Sequence, residues 1–429
     1  MFKIGKRQCL YIIIWISLIQ GFLTDYFKLG FVNYFCDILL IICLLLRILG
    51  IKHYKWYSHG FRSKPLDIVI LFFYIVVLTG WIIHPAPVLH ALWGTRNYTR
   101  FFVFFYLCKR EFSIDDYERI QDWLIKLFPI QCAVTLYQII VEHLSYDYLG
   151  GLFGKYQGCA SGLMIYFGLL LIVLYKKYDN KEIKFKTLLV YFAVIIGISA
   201  YAELKAFFLY FVVMLVLYGL LSKNKVKASV VLLIGLLGAF VGIQILIRFF
   251  PQFANFFTVE KIIEQFTNKN ATYTFREGLD VGRSSIFYKL DPIIVNWGGN
   301  SARWFGLGLG NGDYSSTFSF LNSNFYNAYP RSNYVNFSLS FLFVELGYLG
   351  TIAYVSMFFV LEITAMKNFV ENKRSQTLIS VFTPVLCFFL LYYNCSLRTN
   401  YAYIVFSILP IIYAKPYRRC DPNSINGAP

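Results

Sequence analysis

Residues 228–250 read ASVVLLIGLLGAFVGIQILIRFF, twenty-three positions with a single charge, Arg248, two from the end. As an α-helix at about 1.5 Å per residue this run extends roughly 34 Å, enough to cross the roughly 30 Å hydrocarbon core of a bilayer with every backbone hydrogen bond internal. A helix on the surface of a soluble core would carry a polar face, and this one has none.

Eleven further apolar runs share that character, at approximately 8–26, 30–50, 66–84, 89–107, 123–142, 158–175, 187–202, 206–221, 335–363, 377–393 and 401–415. The whole chain of 429 residues is 58% hydrophobic and 15% charged, whereas ordinary soluble domains carry about 25% charged residues. Its 44 Phe and 34 Tyr supply rings that anchor span ends at the bilayer interfaces. The expected fold is therefore an all-α polytopic membrane protein with about 12 transmembrane helices. The basic start before the run at 8–26 mimics a signal peptide, but no small-x-small cleavage site follows, and the run is read as a retained span.

The net charge of +17 could suggest nucleic acid. The Lys and Arg fall instead in short clusters between apolar runs, so no nucleic-acid partner is expected. With the N-terminus inside, 26 of the 40 Lys and Arg lie in inner connections, and six (Lys28, Arg96, Arg100, Lys155, Lys205, Arg398) lie in short outer ones. That asymmetry predicts cytoplasmic N- and C-termini. The nine cysteines lie mostly inside apolar runs without metal-ligand spacing and are read as packing residues.

One connection is long. Residues 251–334 form an expected outer loop between the ninth and tenth spans, dividing the chain into a membrane domain at 1–250, this loop, and a second membrane portion with a cytoplasmic tail at 335–429. Inside the loop, 259–268 and 284–297 place apolar residues at helical spacing, as helices lying on the membrane face do. WFGLGLGNGDY, 304–314, reads as a glycine turn cluster. An ordered loop of this size is where function is expected.

Charges near a bilayer are costly, which makes the outer-side ionisable residues candidates. Arg96 and Arg100, in GTRNYTRFF, are four apart and share a helix face on which they could hold one anionic group; snorkelling to lipid headgroups is the bland alternative. Glu203 and Lys205, in SAYAELKAFF, occupy a very short turn between two apolar runs. Arg283 precedes the amphipathic stretch of the long loop, and Arg303 and Arg331 are further cations of that loop. Asp37 and Glu345, inside apolar runs, are read as buried hydrogen-bonded residues. The GLGLGNG run lacks the strand-turn-helix context of a dinucleotide fingerprint. The five histidines stand at 53, 59, 84, 90 and 143, none in the long loop, and no Asp-x-Asp pair or carboxylate cluster suited to a metal appears there. Neither a cofactor nor a metal is expected.

Four patterns in order resemble the bacterial O-antigen polymerase and O-antigen ligase superfamily, and specifically the Wzy-type polysaccharide polymerases. They are GGLFGKYQGCASGLM (150–164), SAYAELKAFF (199–208), VGRSSIFYKLDPI to WFGLGLGNG (281–312) and NFSLSFLFVELGYLG (336–350). The resemblance implies an enzyme of the bacterial cytoplasmic membrane that joins undecaprenyl-diphosphate-linked oligosaccharides at the outer face. Arg283 falls on the family's loop arginine, and Lys205 stands where members often have Arg, keeping the charge without the bidentate fork. In this reading Arg283, Lys205 and Glu203 are catalytic, while Arg96, Arg100, Arg303 and Arg331 bind diphosphate or glycan; Glu203 and Asp313 are the candidates for a general base. The ligases use a loop histidine that this loop lacks, with Arg331 near its place, which favours the polymerase. A chain-length regulator and a flippase of the same pathway are expected partners. An O-antigen ligase, a polysaccharide flippase and a non-catalytic scaffold remain alternatives, although no two-halves repeat of the transporter kind is present.

Overall fold

A computed structural model describes residues 5–48, 64–222, 224–249, 251, 281–315, 317–330, 332–372 and 376–414. Among these residues the structure is helical throughout, without strands. The helices are α1 (Lys6–Phe27), α2 (Val32–Ile48), α3 (Lys64–Ile83), α4 (Val88–Glu111), α5 (Ile114–Ile140), α6 (Ala160–Asp179), α7 (Phe185–Tyr201), α8 (Lys205–Leu221), α9 (Lys225–Phe249), α10 (Ile286–Phe305), α11 (Asn324–Ala328), α12 (Ser338–Asn372), α13 (Gln376–Tyr393) and α14 (Ala402–Ile408).

A helix occupies each of the twelve apolar runs, and among the described residues six are long and apolar enough to cross a bilayer: Lys6–Phe27, Pro65–Ile83, Ile114–Ile140, Ala160–Asp179, Lys225–Phe249 and Ser338–Glu371. Five more apolar helices are shorter, and α4, with Arg96, Arg100, Lys109 and Arg110, is the polar exception. The chain is an all-helical membrane protein. Lipid-facing stripes are visible in the packing: Ile68, Leu71, Ile75, Leu78 and Ile82 of α3 recur at helical spacing and are all exposed. In water such a stripe would be an aggregation site, and against acyl chains it is a solvated face.

α6 sits at the centre, apolar and buried on nearly every side. It packs on α13, α5, α8 and α14, while α13 also packs on α12. Outside this core, α1 lies on α2, and α9 covers α7 and α8. Local sequence explains the ends. α5 starts at a capping box in which Ser113 N and Oγ both donate to Asp116 Oδ2 at 2.7 Å, satisfying amides that the first helical turn cannot pair internally. α10 buries Ile286, Leu290 and Ile294, one residue per turn, against α12 and α3 and exposes Tyr288 and Trp304. Each of those aliphatic side chains contributes about 1.5–3 kcal/mol if drawn from water. The stretch 284–297 is thus helical as its spacing predicts, whereas 259–268 lies outside the described residues.

Two glycines let α10 and α12 cross closely. Gly306 (φ 70°) ends α10, and Gly347 (φ 59°) kinks α12. A Cβ on Gly306 would lie 2.2 Å from the Glu345 carbonyl carbon, and one on Gly347 would lie 2.6 Å from Arg303 O. Both the left-handed backbone and the contact exclude any other residue there without displacement.

The connections gather at two ends. At one, Arg7 bonds Ser113 and Asp116, Lys177 pairs with Asp122, and Ser222 bonds Asp179. At the other, Lys155 N meets Asp25, Asn400 meets the Asn33 carbonyl, Trp81 reaches Leu309 O, and Arg283 reaches Tyr393 O. All the candidate residues within the described portion belong to this second end.

Candidate functional site

The turn between α7 and α8 forces Glu203 into the left-handed region, φ 57°, a conformation that bulky residues rarely adopt and that collects at functional sites. The turn is closed by Leu204 N donating to Ser199 O at 2.9 Å and Lys205 N donating to Glu203 O at 2.8 Å. Lys205 Nζ then pairs with Glu203 Oε1 at 2.8 Å, each side chain about a fifth exposed. Arg283 belongs to the same electrostatic neighbourhood: its charge acts on Lys205 from a segment far away in sequence.

Arg283 is held on three sides. Its Nε donates to Tyr393 O at 3.1 Å, and its guanidinium lies 4.1 Å from the Tyr393 ring centre and 4.9 Å from that of Phe337. The backbone beneath it is tied by Val281 N to Asn333 Oδ1 at 2.7 Å and Gly282 N to Ser285 Oγ at 2.9 Å. An arginine stacked this way presents a fixed charge with little rotamer entropy left to lose on binding.

A residue that sequence reading missed completes the group. Asp147 lies in the one-turn segment Tyr146–Tyr148, whose register is set by Gly158 N donating to Asp147 O at 3.2 Å and Cys159 Sγ lying 3.5 Å from it. Its carboxyl is pushed up to about 6, first by desolvation and then by the negative charge of Glu203. Yet the residue is exposed. The charge of Glu203 acts on Asp147 and that of Arg283 on Lys205, which links the four residues electrostatically at this end of the molecule. Two cations and two carboxylates there can bind an anion and exchange a proton.

The other candidates divide between two networks and a surface pair. Arg96 and Arg100 do share a face and hold one anion, which in this structure is the chain's own Asp37: Arg96 Nε donates to it at 3.0 Å and Arg100 Nη1 at 3.2 Å. Tyr403 donates to the same carboxylate at 2.8 Å. Arg100 is buried and continues to Asn400 Oδ1 and Arg398 O, both at 2.6 Å. Asp37 is hydrogen-bonded as its sequence setting suggests, but partly rather than fully buried.

The second network centres on Arg398, which the sequence reading noted only as a basic residue. Its Nη2 donates to Asp313 Oδ2 at 2.8 Å and lies 3.9 Å from Glu345 Oε2, with all three side chains buried. Asn97 Nδ2 donates to Asp313 Oδ2 at 2.6 Å, and Gly310 N donates to Glu345 Oε1 at 2.9 Å. The glycine turn 306–312 is thereby clamped to α4, α12 and the 396–398 turn. Arg303 makes a bidentate pair with Asp291 at 2.9 and 2.8 Å, on the surface. Arg331 lies outside the described residues.

No group of three or more His, Cys, Asp or Glu among the described residues is arranged to hold a metal. No known family model matches the sequence, and no curated protein matches it, so what can be said of the site rests on the residues that form it.

Proposed function

We propose that this membrane protein is a polysaccharide polymerase that joins undecaprenyl-diphosphate-linked oligosaccharides at the outer face of a bacterial cytoplasmic membrane. The observation that carries the reading is the electrostatic neighbourhood that Lys205, paired with Glu203, shares with Arg283, distant in sequence, and that Glu203 shares with Asp147. The full reading has twelve crossings, with both termini cytoplasmic. It is supported by the clustering of Lys and Arg at the end opposite Lys205 and Arg283, with Lys109 and Arg110 closing α4, Lys176, Lys177, Lys181 and Lys184 around the end of α6, and Lys225 and Lys227 opening α9.

In the proposed reaction an acceptor sugar hydroxyl attacks the anomeric carbon of the donor. Its oxygen forms the new glycosidic bond as the carbon–oxygen bond to diphosphate breaks, and the electron pair leaves with the diphosphate. Arg283 and Lys205 bind that diphosphate and offset its growing charge, an electrostatic role that fixed cations perform well in a partly desolvated site. Asp147, ionised above about pH 6, takes the hydroxyl proton. Glu203 holds Lys205 in place and keeps the Asp147 proton affinity high. Ligation of finished glycan to a lipid acceptor would use the same chemistry with a different acceptor.

The test is the gel profile of surface polysaccharide from cells lacking this gene, then carrying the wild type or Arg283→Ala. A ladder that collapses to a single lipid-linked repeat, restored by the wild type but not by the expressed variant, is the expected outcome. Unchanged chain lengths sink the polymerase, a full ladder left on the lipid carrier points to a ligase, and unflipped repeats accumulating in the cytoplasm point to a flippase.

A further inference from the structure

Fourteen residues beyond Arg283, roughly 20 Å along α10 at helical rise, a concavity opens that the diphosphate chemistry does not use. It is a cleft of about 290 Å³ whose lining includes Ile83, His84, Trp297, Asn311, Asn324 and Phe325. That volume lies at the small end of small-molecule sites. None of the described residues lining it is an Asp, Glu, Lys or Arg. Burial holds the His84 imidazole below the usual histidine range, so it too is neutral near pH 7. An uncharged, hydrogen-bonding ligand suits such a wall.

The wall has one broad apolar face and several polar points. Trp297 is 44% exposed, and its ring is braced by Phe325 at 5.4 Å and Tyr329 at 6.4 Å between centres. Asn311 Nδ2 is spent on Leu307 O at 2.6 Å and His84 O at 3.4 Å, which fixes the amide and directs its Oδ1 elsewhere as an acceptor. His84 Nε2 lies 3.1 Å from Ser301 Oγ, which orients the ring and leaves Nδ1 for another partner. Asn324 adds an exposed amide from α11. A rigid aromatic face ringed by amides matches the two surfaces of a sugar, whose C–H face is apolar and whose edge is all hydroxyl.

We propose that this cleft is a saccharide subsite, in which about one or two neutral sugar rings stack on Trp297 and hydrogen-bond to Asn311, Asn324 and His84. The inference rests on the polymerase reading for its substrate class. It gives α10 the role of a ruler, with the charged leaving group at its Arg283 end and a distal part of the glycan at its Trp297 end.

The experiment uses the full-length protein in lipid nanodiscs, with the oligosaccharide released by mild acid from the host's own lipid-linked repeat as probe. Saturation-transfer NMR and a binding titration are the readouts. The expected result is saturation of sugar C–H protons, with affinity weakened about tenfold by Trp297→Ala, about fivefold by Asn324→Ala and less than about threefold by Trp297→Phe, which keeps a ring. Trp304→Ala, an exposed tryptophan of the same helix outside the cleft, leaves binding unchanged. Absence of saturation transfer in the wild type, or Trp297→Ala and Asn324→Ala both binding as the wild type does, overturns the subsite. If binding is absent while polymer still collapses in Arg283→Ala cells, the subsite falls and the polymerase stands. If binding is present and Trp297-dependent while polymer persists in those cells, the polymerase falls and the cleft remains a saccharide site.

Discussion

Arg283 and Arg100 carry the same side chain and do different things because of what surrounds them. Arg100 is buried on an internal carboxylate, whereas Arg283 is stacked on Tyr393 and Phe337 and acts on Lys205. If Arg283 stabilises the departing diphosphate, Arg283→Ala should lower the polymerisation rate about 10²-fold or more. An assay with purified lipid-linked repeat would show this mainly in kcat. Asp147 makes a pH prediction. Its raised proton affinity means that the folded state favours the protonated form, so stability declines as pH rises from about 4 to about 6. Activity should rise over the upper part of that window as the carboxylate appears, and Asp147→Asn should abolish both limbs in a pH–rate profile and in thermal unfolding. Arg398 is a structural counterpart. Arg398→Ala would leave Asp313 and Glu345 buried without their cation, and a loss of about 3–5 kcal/mol is expected by unfolding in detergent.

Helices here are shaped by single positions at their ends and crossings. α12 can pass over the end of α10 because Gly347 and Gly306 adopt left-handed backbone with no Cβ. Gly347→Ala should therefore cost more than the roughly 1–2 kcal/mol of the backbone conformation alone, because Arg303 O stands in the way. A fall in melting temperature well beyond that of Gly197→Ala, where a Cβ would meet nothing within 4 Å, would show it. The same crossing carries Glu345 and the glycine turn, so the geometry of the ion network depends on α12 being kinked. α5 is different, since its start is a local matter: Ser113→Ala removes one partner of Asp116 and should cost about 1 kcal/mol.

For the molecule as a whole, the testable feature is its two ends. Topology reporters fused after Lys181 and after Ser301 should report opposite sides of the membrane, with Lys181 cytoplasmic, and a reporter at the C-terminus should agree with Lys181. A result placing Lys181 and Ser301 on one side would overturn the twelve-crossing arrangement. Both ends are needed for the proposed chemistry, since a donor made in the cytoplasm and polymerised outside requires the end that carries Lys205 and Arg283 to face outward.

Helical structure and membrane character were legible in the chain because they depend on a local quantity, runs of twenty-odd apolar residues, whereas helix ends were less so: the fifth run was read from 123, and its helix starts at Ile114 behind the Ser113 cap. The short turn at Glu203 and Lys205 and the helix within 284–297 likewise follow from residues within a few positions of one another, whereas the left-handed backbone of Glu203 is a finding of the structure. The meeting of charges was not legible in this way. That Arg96 and Arg100 share a face follows from a spacing of four; that their anion is Asp37 depends on how α2 and α4 pack. Arg398 finds Asp313 and Glu345, and Asp147 comes near Glu203, through contacts between segments separated by many tens of residues. No periodicity encodes such pairs, because a buried charge is satisfied by whichever polar group the packing of apolar surfaces brings within reach.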